Sequence, residues 1–121
     1  YQHDAGLDIT TIESAFLEPG QGRIFKTGLA CAVDPGYVAM VCDRSSMGKR
    51  GLRALGGIID SGYRGEVGVI LWNVSHETHK IEAGERIAQI LILPVATPTV
   101  VEASQLPVAE RGAQGFGSSG K

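Results

Sequence analysis

An all-β fold, a sandwich or barrel with at most one short helix, is predicted by three observations. Of the 121 residues, 17 are glycine and 5 are proline, and the β-branched residues between them come in short runs. No stretch longer than about ten residues keeps a helical period. Turn-forming clusters recur roughly every 8–12 residues, the spacing of short antiparallel strands. A chain of this length forms one domain and can bury a core of its own.

In chain order, Leu7 and Ile9 alternate with Asp8 and Thr10 as a half-buried strand does, with Asp8 on the polar face. Residues 13–22 read as loop, with Pro19-Gly20-Gln21-Gly22 as a turn. Residues 23–33, RIFKTGLACAV, read as a strand or strand pair broken at Gly28, and Asp34-Pro35-Gly36 is a strong turn signal. Residues 37–42, YVAMVC, read as a buried strand; the polar, Gly-bounded residues 43–51 have room for one helical turn capped by Ser45 or Ser46. Residues 52–57 lead into the stretch 57–73, GIIDSGYRGEVGVILWN, which reads as a β-hairpin. Its left arm, 57–59, is small and apolar; its right arm, 66–73, is rich in Val, Ile, Leu and Trp. After a polar connection and a turn ending at Gly84, residues 86–95, RIAQILILPV, read as a core strand that Pro94 and Pro98 end or set at an edge. Residues 99–106 read as one more strand.

Charge and cysteine content narrow the classes of function. Eleven basic against thirteen acidic residues leave a net charge of −2 and no strongly basic face, which argues against a nucleic-acid polymer as partner. No apolar run approaches the ~20 residues of a membrane span, and no signal-peptide pattern is expected. Tyr1 in place of Met points to an N-terminus that is processed, trimmed or partly omitted. Cys31 and Cys42 lie in apolar stretches without metal-ligand spacing. They read as buried free thiols of a reducing compartment, the cytoplasm or another soluble one.

Four features carry chemistry. Asp60 reads either as an ordinary turn carboxylate or as a functional group, set by two preceding Ile residues at the edge of buried surface, with the Tyr63 ring beside it. Gly57 and Gly68 leave backbone bare on both arms, as a flat ligand touching the main chain requires. Gln89, amid Ile, Ala and Leu, is either outward-facing or turned into a site, because a buried amide needs partners. His76 and His79 lack a third ligand at metal spacing and read as loop residues. The segment 111–121, RGAQGFGSSGK, is by composition a disordered tail. With Arg111 at its head and Phe116 embedded in it, it also reads as a flap whose glycine N–H groups and Ser hydroxyls wrap phosphate oxygens.

The order AGLDI, RSS, GIIDSGYRGE, GERIAQI, RGAQGFGSSG, running from Ala5 to Gly120, resembles the five motifs of the trimeric dUTPase family, the deoxyuridine triphosphate nucleotidohydrolases. The resemblance implies a jelly-roll β-fold that forms a homotrimer with active sites at subunit interfaces. It also implies a body over residues 1–110 and a C-terminal flap over 111–121 that closes a neighbouring subunit's site. The activity implied is Mg²⁺-assisted hydrolysis of dUTP to dUMP and pyrophosphate. By motif, Asp8 would bind waters on Mg²⁺, and Arg44, Ser45 and Ser46 would contact the phosphates. Asp60 would be the general base and hold the 3′-hydroxyl. Tyr63 would stack under the deoxyribose and exclude a 2′-hydroxyl. Main-chain groups around Gly57, Ile59 and Gly68 would read the uracil edge. Gln89 would bind near the phosphates and the metal waters. Arg111 would bind the γ-phosphate, Phe116 would cover the uracil, and Gly117, Ser118 and Ser119 would wrap the phosphate chain.

The sequence departs from the family pattern in places. Asp43 stands where Pro commonly precedes the Arg-Ser pair, Gly62 replaces an acidic residue, and Ser119 replaces Thr. The segment from Ser46 to Asp60 is on the short side, and the chain begins close to the first motif. A dCTP deaminase of the same fold would need a Glu on the second hairpin arm, where alignment puts Ile70. A non-catalytic dUTP sensor on this scaffold would not need Asp8, Asp60, Gln89 and Arg111 together, and a purely structural trimer would not need the Arg-headed tail.

Overall fold

Short β-branched runs separated by glycine and proline turns give nine strands and one single-turn helix among the described residues. The computed structural model describes residues 1–120. In chain order the elements are β1 (Leu7–Thr10), β2 (Ala15–Leu17), β3 (Gly22–Lys26), β4 (Tyr37–Cys42), α1 (Ser45–Lys49), β5 (Leu52–Leu55), β6 (Ile58–Ile59), β7 (Gly68–Asn73), β8 (His79–Ile81) and β9 (Arg86–Pro94). All strand pairs are antiparallel. One sheet runs β1-β9-β4-β6, a second runs β3-β7-β5, and β2 with β8 forms a two-stranded ribbon.

The alternation of the strands decides what each sheet buries. Ile9, Phe25, Val69, Leu71, Ile87 and Ala88 point inward and, with Leu17, Leu52 and Ile81, form one core. Each Val, Leu, Ile or Phe side chain among them contributes about 1.5–3 kcal/mol when fully buried. Asn73 closes β7 from inside that core: its Nδ2 donates to the carbonyls of Leu17 (2.9 Å) and Glu77 (2.7 Å), and its Oδ1 accepts the Ser75 N–H (2.9 Å) and hydroxyl (2.7 Å). A fully buried amide is tolerated here because every polar atom has a partner.

Several sequence expectations need correction. Residues 57–73 are not a self-paired hairpin: β6 pairs with β4, and β7 pairs with β3 and β5, so the two arms belong to different sheets. The bend itself is there, closed by the Tyr63 N–H on the Asp60 carbonyl at 3.0 Å. Residues 52–57 contain β5, and residues 13–22 contain β2, three residues whose pairing to β8 was too short to show a period. The strand from residue 23 stops at Lys26; beyond Gly28, at φ 69°, no second strand forms. The β4 strand is half-buried rather than buried, and so are both cysteines. In β1, Leu7 is exposed and Ile9 alone is buried. The cap of α1 is Arg44, with no side-chain cap hydrogen bond, and Ser45 and Ser46 lie inside the helix. Residues 99–106 form no strand; Val100, Val101 and Leu106 are exposed, because no strand of the described chain lies beside them.

Candidate active site

Antiparallel register builds the first half of the site. Asp8 on β1 stands opposite Gln89 on β9, which stands opposite Cys42 on β4. Directly opposed residues share a face, so these three form one row across the sheet. The chain then leaves β4 through Asp43 into the turn of Arg44, Ser45 and Ser46. Arg44 Nε donates to Asp8 Oδ1 at 2.8 Å and its Nη1 to the Ser46 hydroxyl at 2.8 Å. Arg86, at the start of β9, donates to Asp8 Oδ2 at 3.2 Å. Gln89 Nε2 donates to the Asp43 carbonyl at 2.8 Å. A Cβ on Gly6 would sit 2.0 Å from Gln89 Oε1, so only glycine leaves that amide where it is.

These groups line an open cavity of about 760 Å³. The hydrogen bond from Arg44 to the Asp8 carboxylate, with Arg86 on its other oxygen, holds this carboxyl below the ordinary aspartate range. Asp4 also lines the cavity, so its acidic and basic side chains balance, but two guanidinium groups with hydroxyls beside them offer donors suited to phosphate oxygens.

The bend between β6 and β7 builds the second half. Gly57 has φ 99°, and a Cβ there would meet the Val41 carbonyl oxygen at 2.6 Å. The backbone therefore lies bare beside β4, locked by the Val41 N–H on the Gly57 carbonyl at 2.8 Å. Tyr63 crosses Gly65, and its hydroxyl donates to the Glu66 carbonyl at 2.9 Å, which fixes the ring while leaving it 45% exposed. Gly57, Ile59, Asp60, Tyr63 and Gly68 share one small recess of about 170 Å³. The Ile59 side chain is buried, so what it offers a ligand is main chain; the Asp60 carboxylate is exposed.

The third group lies on the C-terminal segment. Arg111 Nε donates to the Gln114 carbonyl at 2.8 Å, and Arg111, Ser118 and Ser119 border a shallow cavity of about 430 Å³. Phe116 is fully exposed with φ 49°, a left-handed backbone rare outside glycine, and Gly117 follows it at φ 93°. Lys121, the last residue of the expected flap, lies outside the described residues.

Each group is assembled, but the three are not brought together within one chain. The β4–β6 register, extended by one residue, sets Asp60 opposite Val38, while Asp8 and Gln89 align with Cys42. Four strand residues at ~3.3 Å each separate the two rows by about 13 Å. Between them the same face carries Met40, Leu91 and the exposed Ile58, all apolar. Sequence reasoning missed two residues. Arg86 was visible only as part of GERIAQI, and the register that sets it opposite Thr10, two residues from Asp8, is the signal that finds it. Asp43 stands out in the sequence only as a departure from the family pattern; its partners on β5 appear once the strands are placed. His79, by contrast, opens β8 and contacts the Ser75 hydroxyl at 3.0 Å.

Known proteins similar to this chain in sequence and in shape agree with one another. The family model for dUTPase matches residues 1–120. Deoxyuridine 5′-triphosphate nucleotidohydrolase of Nautilia profundicola is 43% identical over 120 residues, covering 97% of this chain and 84% of its own. The protein of the same name from Tropheryma whipplei is 38% identical over 125 residues, covering 100% of this chain and 86% of its own. Among solved structures, the dUTPase of Staphylococcus bacteriophage 80alpha with dUPNHPP superimposes with a TM-score of 0.92 at 33% identity, over 100% of this chain and 89% of that one. A dUTPase variant from phage phi11 of S. aureus, solved to show coordination of a structural Mg(II) ion, superimposes at 0.82 with 26% identity, over 89% of this chain and 88% of that one. Agreement in sequence and in backbone over nearly the whole of this chain makes it a member of the dUTPase family.

Proposed function

We propose that this chain hydrolyses dUTP to dUMP and pyrophosphate, as a homotrimer whose active sites are completed by neighbouring subunits. The observation that carries the reading is the recess at the bend, where an exposed carboxylate, a fixed tyrosine ring and bare glycine backbone meet in about 170 Å³. In a member of this family, that combination suits a nucleoside. Backbone N–H and C=O groups around Gly57, Ile59 and Gly68 pair with the uracil edge. A thymine methyl clashes there, and cytosine leaves buried polar groups unpaired, which discriminates strongly. Tyr63 lies under the deoxyribose and leaves no room for a 2′-hydroxyl.

Asp60 holds the 3′-hydroxyl and takes a proton from the attacking water. The water oxygen bonds to the α-phosphorus as the bond from that phosphorus to the bridging oxygen breaks, and pyrophosphate leaves. Aspartate is a weak base, so orientation and exclusion of bulk water supply much of the acceleration. Arg44, Ser45, Ser46 and Gln89 of another subunit hold the phosphates. The segment 111–121 acts as a flap beyond a body of residues 1–110: Arg111 pairs with the γ-phosphate, Phe116 covers the uracil, and Gly117, Ser118 and Ser119 wrap the chain.

The donor set fits a hydrated Mg²⁺ carried on the phosphates. Among the described residues no three His, Cys, Asp or Glu side chains gather as a ligand cluster, and Asp8 with Gln89 offers one carboxylate and one amide on the phosphate side. Asp8, and Gln89 beside it, would hold the ion through its waters, and the ion when bound neutralises triphosphate charge.

The roughly 13 Å between the two halves supports sharing between subunits, since the groups that hold one substrate's base and its phosphates then come from different copies. The apolar face around Met40, Leu91 and Ile58 supports burial against a second copy. No helix among the described residues is long and apolar enough to cross a membrane. The free thiols Cys31 and Cys42 support a reducing, cytoplasmic-type compartment. Ile70 has no proton to move, which disfavours deamination.

The test is pyrophosphate release with Mg²⁺ from dUTP, dCTP, dTTP and UTP in parallel, with each product base identified. Pyrophosphate and dUMP from dUTP alone is the expected result. Deoxyuridine products from dCTP would reinstate the deaminase. dUTP binding without turnover would leave a sensor.

A further inference from the structure

Asp43 sits between the last residue of β4 and the turn that carries Arg44, Ser45 and Ser46. Its carboxylate has two close partners on β5: Oδ1 accepts the Ala54 N–H at 2.6 Å and Oδ2 accepts Arg53 Nε at 2.6 Å. Its carbonyl accepts Gln89 Nε2 at 2.8 Å. One residue thus ties the turn to β5 and to β9. Met47 anchors α1 in the core, but Arg44 lies ahead of it, and a five-residue helix with no side-chain cap leaves that end to be fixed by other bonds. The bonds from Arg44 to Asp8 and from Arg53 to Asp43 are both exposed and screened by solvent, so the part-buried bond from the Ala54 N–H to Asp43 is the firmer constraint. A proline before the Arg-Ser pair would fix the backbone covalently. Here charge-assisted hydrogen bonds supply the constraint instead.

We infer that Asp43 is a positioning residue for the reaction: without touching substrate, its carboxylate, held by Arg53 and the Ala54 N–H, fixes the direction in which Arg44, Ser45 and Ser46 meet the phosphates. The inference rests on the dUTP reading above. β5 continues through Gly56 into the Gly57 bend, so the same contacts connect the phosphate turn to the strand that leads to Asp60.

Positioning and bulk stability separate by ligand. The test compares wild type, Asp43→Ala, Asp43→Asn and Arg53→Gln for dUTP turnover with Mg²⁺ and for affinity to deoxyuridine, which has base and sugar but no phosphate. Asp43→Ala removes both bonds; Asp43→Asn keeps an acceptor for the Ala54 N–H and loses the charge facing Arg53. KM for dUTP rises about tenfold in Asp43→Ala and about threefold in Asp43→Asn and Arg53→Gln, the scale of one lost charged hydrogen bond and a part of one. kcat stays within about twofold, deoxyuridine affinity is unchanged, and the Asp43→Asn/Arg53→Gln double variant is no worse than either alone, because one interaction is being removed twice. Unchanged KM in Asp43→Ala, or an equal loss of deoxyuridine affinity, overturns the inference. Where Asp43→Ala does not fold, the two milder variants decide: a shared, non-additive rise in KM supports it, and unchanged KM in both overturns it. Wild type without dUTP turnover overturns the functional reading and this inference together, whereas active wild type with unaltered variants overturns the inference alone.

Discussion

Replacing Gly6 by alanine tests whether Gln89 belongs to the phosphate half of the site. The added Cβ would lie 2.0 Å from Gln89 Oε1, 2.9 Å from its Cδ and 3.3 Å from its Cβ. Gly6 is not among the positive-φ glycines, so the backbone accepts alanine and the clash falls on one flexible side chain. Gln89 swings away and gives up its 2.8 Å bond to the Asp43 carbonyl. That hydrogen bond contributes about 1 kcal/mol net, and a strained rotamer adds about 0.5–1.5, so stability falls by roughly 1.5–2.5 kcal/mol. The functional loss is separate from it: a hydrogen bond to a charged phosphate is worth about 1.5–3 kcal/mol, or roughly 10- to 150-fold in kcat/KM. The assay is kcat/KM for dUTP beside a denaturant midpoint, for Gly6→Ala, Gln89→Ala and the double variant. If the clash acts only through Gln89, the double variant matches Gln89→Ala alone. Wild-type kcat/KM in Gly6→Ala, or losses that add in the double variant, would refute the argument.

Four further outcomes follow from the same structure. Asp60→Asn retains affinity for a non-hydrolysable dUTP analogue and loses about 10²–10⁴ in turnover, the usual scale of a general base; near-normal turnover removes Asp60 from that role. Asn73→Leu keeps the volume but strands two carbonyls and the Ser75 donors, costing about 3–5 kcal/mol in denaturant unfolding, and a loss under about 1 kcal/mol would contradict the bonding seen around it. Asp8, held low by Arg44, and Glu13, held low by the Lys26 N–H, titrate lower folded than unfolded. Each therefore adds stability above the unfolded carboxylate range, about pH 4, and loses it as pH falls through the folded value, so Asp8→Asn/Glu13→Gln has a shallower acid limb below about pH 4; a limb parallel to wild type refutes this. Protease cuts the 111–121 segment readily in the free protein and slowly with the analogue and Mg²⁺, while equal cleavage in both argues against a closing flap.

What a sequence shows of a β protein is which residues share a face, and this chain is a clear case. Alternation set Asp8 on the polar side of β1, and the misfit of Gln89 on an apolar run marked a residue that needed partners; both lie on one row of the sheet, as register requires. Pairing partners are a different matter, because they are fixed by contacts between residues far apart in the chain. That is why residues 57–73 read as a hairpin although β6 joins β4 and β7 joins β3 and β5. It is also why Arg53 and Asp43, ten residues apart and both polar, gave no signal until their strands were placed side by side. A three-residue strand such as β2 carries too little period to be seen at all. The division of the site is the deepest case. Asp60 and Gln89 lie on the same face of one sheet, yet four residues of β4 keep them about 13 Å apart, and the strip between them is apolar. Within a single chain that strip, half-buried at Met40 and Leu91 and exposed at Ile58, separates the Asp60 carboxylate from the row of Asp8 and Gln89. In the proposed trimer a second copy would bury that strip, and the geometry that keeps the two halves apart in one subunit would then bring halves from different subunits to one substrate.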